Sequence, residues 1–261
     1  MSEGGRGFCL PARNRVAWAQ EEALRVAEMN WMQLEARLQE DDRAVLPLGS
    51  TEQHAFLSLA TDLILAERVA VEAAAPLGVP VFPGIPYGLA PYFAAYPGTV
   101  SLRPGTYAAL VVDVLDSLAH AGFRRILLVN GHGGNAPVGQ AVDRWSRERT
   151  GVRAALHHWW RAPRVRQAAE EEGEHGSHAN WMESFPWTRV QGVEPLPASK
   201  PPVELTEALR SDPEGVRELL GDGSFGGAYQ MPDETMQRIW AVAVAETRDL
   251  LKGAAWDEDS P

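Results

Sequence analysis

The chain has 261 residues, with 24 Lys+Arg against 35 Asp+Glu and a formal charge of −11. That acid excess argues against non-specific nucleic-acid binding, which needs cations to displace counterions from phosphate. The single cysteine, Cys9, excludes an intrachain disulfide and favours a reducing, cytoplasmic setting, and no run of 18 apolar residues reads as a membrane span.

Residues 1–14 read as a loose tail without the apolar core of a secretory signal. Residues 16–39 have helical character, broken or bent around Asn30, and 44–48 form a short apolar strand closed by Gly49-Ser50. Leu63, Ala66, Ala70 and Ala73 recur at helical spacing and predict an amphipathic helix over 62–75. A second strand is expected over 79–82. The stretch 83–105, rich in proline, glycine and tyrosine, reads as a functional loop.

A helix over 107–121 ends at Gly122. The nearly pure apolar run 125–130 has the composition of a strand buried on both faces of a parallel sheet. Residues 135–149 read as helix and 152–157 as strand. Residues 161–201 read as loop, and two last helices are expected near 203–220 and 232–252, around a turn-rich 221–230. Alternating strands and helices imply an α/β fold in three layers, α/β/α, with a mostly parallel central sheet. The expected organisation is an N-terminal extension over 1–28 and one domain over 29–261.

Three polar clusters carry the chemistry, two of them directly after predicted strands, where ligands bind in open α/β sheets. In Gly49-Ser50-Thr51-Glu52-Gln53-His54, the carboxylate and imidazole two residues apart leave the same face of an extended backbone. With Asp62 they make a mixed N/O set for a divalent metal. Taken alone, Asp62 reads equally as a first-turn acid answering the helix dipole. In Gly131-His132-Gly133-Gly134-Asn135 the glycines either cradle an anion or let His132 and Asn135 approach a metal or substrate. No Lys-Ser/Thr follows, which weakens a nucleotide reading. The third cluster, 176–183, brings His178 and a carboxylate, Glu183, with Trp181 and Trp187 placed to wall a pocket around a small planar substrate. His120, His157 and His158 read as structural.

In this order, GSTEQHAFLSLATD, YPGTVSLRP, LLVNGHGGN and GSHANWMES resemble the creatininase (creatinine amidohydrolase) family. The resemblance implies a dinuclear metal hydrolase, often hexameric. Glu52, His54, Asp62 and His132 fall on family metal ligands, Asp62 as the bridging carboxylate. His178 falls on the catalytic histidine, and Glu183 on a glutamate that supplies the remaining ligand in many members. Ser50, Gly133, Gly134, Asn135, Trp181 and Trp187 are the expected substrate contacts. The implied cofactor is two divalent ions per subunit, zinc, manganese or iron(II). They would acidify a water for attack on a small, cyclic amide, with Asn135 a candidate oxyanion donor.

Three departures set the chain apart. The Glu52–Asp62 interval is one residue shorter than usual, Ala55 stands where a glycine is common, and Gly134 stands where true creatininases carry a glutamate. The last departure passes ligand duty to Glu183 and weakens creatinine itself as substrate. The expected partner is a small molecule. Two alternatives stay open: hydrolysis of a cyclic ketone or lactone-like ring, and a non-catalytic metal-binding protein.

Overall fold

The structure, a computed structural model, describes residues 24–173, 176–193, 197–254 and 256. The expected tail and Cys9 lie outside the described residues, as does the first part of the helix expected over 16–39. Its described remainder breaks where Asn30 stands. A short 3-10 turn over Val26–Glu28 precedes α1 (Trp31–Leu38). Asn30 caps α1 through a reciprocal capping box with Gln33.

Three parallel strands, β1 (Arg43–Leu48), β2 (Arg125–Asn130) and β3 (Arg153–His158), pair in that order, with Val45 opposite Leu127 and Leu127 opposite Ala155. The strand expected over 79–82 runs beside β1 with only isolated bridges, Val81 to Val45 and Ile85 to Leu48. Pro80, Pro83 and Pro86 supply no amide hydrogen there, which keeps the ladder from closing. Residues 24–26, assigned by the sequence to an extension, pair outside this segment, with Val81 N donating to Leu24 O and Val26 N to Val81 O.

Period-two alternation sends the strands' side chains to two cores. Val45, Leu127 and Val129 pack against α2 (Thr61–Ala74) and α7 (Asp233–Asp249). Ala44, Leu46, Leu48, Ile126 and Leu128 pack against α3 (Pro104–Ala121) and α4 (Val138–Arg147). The result is the three-layer α/β/α arrangement expected from the alternation of elements.

The loop expected over 161–201 contains α5 (Pro163–Glu170). Its cap is remote in sequence: the buried carboxylate of Glu246 on α7 accepts from the backbone amides of Arg164 and Val165. The helix expected over 203–220 shrinks to α6 (Pro213–Leu220), because Asp212 and Pro213 together open a helix there. Pro137 likewise separates a 3-10 turn at Gly133–Asn135 from α4. A two-residue antiparallel pair, β4 (Ser199–Lys200) with β5 (Gly227–Ala228), closes the second half of the chain.

Candidate metal centre

All three parallel strands end at one edge, and each delivers polar residues there. β1 leads into Ser50, Glu52 and His54, β2 into His132, and β3 into Trp159 and Trp160. The first turn of α2 brings Asp62 onto the same edge. Gly131 allows this approach: a Cβ there would stand 2.1 Å from the Asp62 carbonyl oxygen. The segment after α5 adds His178 and Glu183.

These residues converge. His54 Nε2 lies 3.1 Å from Asp62 Oδ1 and 3.7 Å from Glu183 Oε2. His132 Nδ1 lies 3.0 Å from Asp62 Oδ2, and His132 Nε2 3.1 Å from Glu52 Oε2. His178 Nδ1 is 3.9 Å from Glu52 Oε1. Two groups with metal-ligating spacing, Glu52–Asp62–His132 and His54–Asp62–Glu183, share Asp62.

The donor set suits cations. Glu52 Oε1 and Asp62 Oδ2 are buried without a hydrogen-bond partner among the described residues, a costly state for carboxylate oxygens. Each imidazole also has one nitrogen engaged by a backbone carbonyl: His54 Nδ1 donates to Glu52 O at 3.1 Å, and His132 Nε2 to Leu89 O at 3.0 Å. With a cation in place the opposite nitrogen of each would turn its lone pair to the metal, the usual arrangement behind a metal-ligating histidine.

Charge holds the cluster together. Burial opposes protonation of His54, but Asp62 and Glu183 outweigh it and lift the imidazole to about 10. His132 is lifted to about 9, its burial overcome by Glu52 and Asp62. Burial raises Glu52 and Glu183 each to about 7. Asp62 is the exception: the two imidazoles overcome its burial and hold it well below the carboxylate range. Burial, and then the neighbouring His54 charge, keep His178 neutral.

The remaining expected site residues divide. Gly133 and Gly134 line a cavity of ≈ 610 Å³ over the cluster, with Asp62, His132, His178 and Glu183. Ser50, Asn135, Trp181 and Trp187 do not line it. Ser50 is fully buried and donates to Glu52 Oε2 at 2.7 Å, so it orients a carboxylate. Asn135 is a buried strut that donates to Gly49 O and Asn130 Oδ1 and accepts from Leu89 N, which leaves no N–H for an oxyanion. Trp181 is core. Trp187 stacks on Phe185 beneath the Arg68 guanidinium, on a different face. Of the histidines read as structural, His157 is buried against Thr247 and His158 braces Asn130.

Other residues enter that the sequence does not single out. Phe93 stacks on His178 with ring centroids 4.6 Å apart, and Gln53 Nε2 contacts His178 Nε2 at 2.8 Å. Tyr92, Trp160, Arg161, Arg166, Arg210 and Phe225 line the cavity. The one available signal was the position of Trp159-Trp160 at a strand's carboxyl end.

Two departures from the family pattern gain a physical reading. Ala55 has φ 50°, the left-handed region that favours glycine. At Gly134 a Cβ would meet Leu89 O at 2.0 Å and His132 Nε2 at 2.4 Å, so this backbone has no room for a glutamate there.

The chain is similar to known proteins in sequence and in fold. Residues 27–251 match the family described as creatininase, creatinine amidohydrolase. The chain is 35% identical over 114 residues to a creatinine amidohydrolase of Pseudomonas putida, covering 41% of this chain and 44% of that protein. It is 31% identical over 121 residues to a 3-dehydro-scyllo-inosose hydrolase of Thermotoga maritima, covering 46% and 39%. A mycofactocin precursor peptide peptidase of Mycolicibacterium smegmatis is 39% identical over 98 residues, 35% of this chain and 39% of that protein. These sequence matches therefore span less than half of each relative, and each relative's named activity is a hydrolysis. A solved structure described as "Creatininase Mn" superposes with a TM-score of 0.72 at 26% identity, over 88% of this chain and 98% of that one. A mutant creatininase of Zn–Zn type gives 0.71 over the same shares. The family match across 27–251, with structural agreement over 88% of the chain, makes this chain a member of the creatininase (creatinine amidohydrolase) family.

Proposed function

We propose that this chain is a hydrolase that uses two divalent ions to cleave a C–N bond of a small, cyclic amide. The observation that carries the reading is the pair of ligand groups sharing Asp62, with buried carboxylate oxygens left unpartnered. Glu52, Asp62 and His132 would hold one ion, and His54, Asp62 and Glu183 the other. Bound there, divalent ions supply Lewis-acid polarisation of a carbonyl and a lowered pKa for a coordinated water.

The chain's own residues supply proton handling. The Gln53 amide is pinned: its Oε1 accepts from Ala55 N at 3.1 Å and its Nε2 donates to Gly223 O at 3.0 Å. The second amide hydrogen therefore points at His178 Nε2, which makes that nitrogen an acceptor. Gln53 O also lies 3.0 Å from His178 Nε2 and invites the opposite tautomer. The pinned amide decides between them, since it has no other acceptor for that hydrogen. Nδ1 then carries the proton, on the side facing Glu52, where the neutral ring would hold a developing oxyanion of the substrate by that N–H. Phe93 stacked on the ring fixes its plane.

A second reading, hydrolysis of a ring ketone, takes support from the Thermotoga maritima relative. Assembly as a homohexamer in the cytoplasm belongs to the same proposal and rests on the family resemblance and the single cysteine. Among the described residues no helix is long and apolar enough to cross a membrane.

The test is metal loading followed by a panel of small cyclic amides and cyclic ketones. Two ions per chain and turnover of an amide are expected, and Asp62→Asn should lose both. Full metal content and turnover in Asp62→Asn would end the assignment. Fewer than one ion per chain with no turnover would favour a non-catalytic role. Sedimentation of the metal-loaded protein tests the hexamer.

A further inference from the structure

The cavity over the cluster carries an unexpected charge for so acidic a chain. Three arginines, Arg161, Arg166 and Arg210, line it, and outside the cluster itself the lining holds one carboxylate, Glu170. Glu170 is taken, since it lies 3.4 Å from Arg166. Arg161 has no carboxylate within ion-pairing distance among the described residues, and its guanidinium lies 5.6 Å from the Trp160 ring. Arg210 lies 5.3 Å from the Tyr92 ring, and its nearest acid is Glu207 at 3.8 Å, whose side chain is 97% exposed. An ion pair so exposed is worth little. Two guanidinium groups thus stand at aromatic faces without a buried carboxylate partner among the described residues, Arg210 also reaching the Tyr92 hydroxyl.

An aromatic face orients a guanidinium without satisfying its donors. Arginine's planar fork pairs two N–H groups with two oxygens of one anion, which lysine cannot do. Tyr92, Trp160 and Phe225 line the same cavity as flat walls, the Phe225 ring 5.1 Å from that of His178. A cavity of ≈ 610 Å³ has room for a small ring or short chain with a charged group attached.

We infer that the substrate of this site carries an oxyanion group, a carboxylate or a phosphate-type group, received by Arg161 and Arg210 while its amide meets the carboxylate–imidazole cluster. This rests on the hydrolase reading above for the amide and on the arginines alone for the charge. It separates this chain's substrate from a neutral cyclic amide of similar size.

The test uses the full metal-loaded chain and three probes of one skeleton: malonamate, phosphonoacetamide and the neutral malonamide. Binding is measured by calorimetry at low salt. The charged probes should bind about tenfold more tightly than malonamide, and the ratio should fall toward one in Arg161→Gln and in Arg210→Gln. The tighter of the two charged probes identifies the source as carboxylate or phosphate-type. Equal binding of all three would overturn the inference. So would a charged preference undiminished in both variants, which would assign the anion to the metals. Turnover of the amide panel is scored separately. Charge preference without any turnover sinks the hydrolase reading and leaves this one standing. Turnover without charge preference does the reverse.

Discussion

Glu183→Gln separates a metal ligand from a structural carboxylate, because the two roles predict different changes on metal loading. The side chain is 20% exposed, with its Oε2 3.7 Å from His54 Nε2 and 2.7 Å from the Ala179 amide. Glutamine still accepts from that amide, so the local turn survives. In the metal-free chain, burial lifts Glu183 to about 7 from an ordinary value of 4.5. A carboxyl raised on folding costs nothing below its unfolded pKa, and the cost grows as pH rises through the window between the two values. At pH 8 the substitution should relieve roughly 3 kcal/mol, at about 1.4 kcal/mol per unit. In the metal-loaded chain a second effect opposes this gain. Loss of a carboxylate ligand should weaken binding by about 100-fold or more, since even outer-sphere partners cost up to about 100-fold, and 100-fold is about 2.7 kcal/mol. At roughly 2–4 °C per kcal/mol for a chain of this size, the variant should melt about 5–10 °C above wild type in chelator. In saturating Mn²⁺ the apo gain and the binding loss nearly cancel, so the variant should melt within a few degrees of wild type. Elemental analysis should show one ion fewer. An upward shift of equal size in both buffers, with metal content unchanged, would refute the ligand role.

Gly134→Ala should destabilise by about 3 kcal/mol in urea titration and lower metal content, because its Cβ meets the Leu89 carbonyl that anchors His132. Ala55→Gly should stabilise by about 1 kcal/mol by relieving a left-handed alanine beside His54, read as a higher urea midpoint with unchanged slope. His157 is pushed down to about 4 by burial, with a smaller contribution from His158. The folded state refuses a proton that the unfolded state accepts, so stability should fall by up to about 3 kcal/mol between pH 6.5 and pH 4 and then level off. His157→Gln, which keeps a polar contact to Thr247, should flatten that segment of the pH–stability curve.

The layers of the fold were legible because their signals are local. The run RILLVN could only be a doubly buried strand, and Asn30 with Gln33 spells its own cap. Helix α5 was not legible, because its N-terminal amides are satisfied by Glu246, more than eighty residues away. The cluster residues were legible as types at strand ends, and the four ordered motifs sharpened them. The substrate contacts were less so. Ser50 and Asn135 carry the polar groups a substrate would want, yet both are spent on neighbouring backbone and side chains. The arginines that line the cavity come from two separate stretches with no motif, Arg161 and Arg166 around the start of α5 and Arg210 before α6, and only the fold brings them to one cavity.

The cluster draws on two kinds of support. Glu52, His54, Asp62 and His132 stand on the rim of the parallel sheet and the first turn of α2, anchored in both cores. His178 and Glu183 stand on a segment whose one regular turn spans three residues, Trp181–Glu183. Cations bound between the two groups would tie that segment to the sheet, so their free energy of binding adds to the local opening free energy of residues 176–188. Amide hydrogen exchange of Ala179, Ser184 and Thr188 would therefore slow on loading while β2 stays unchanged. Backbone protection in this stretch becomes a gauge of metal occupancy that needs no substrate.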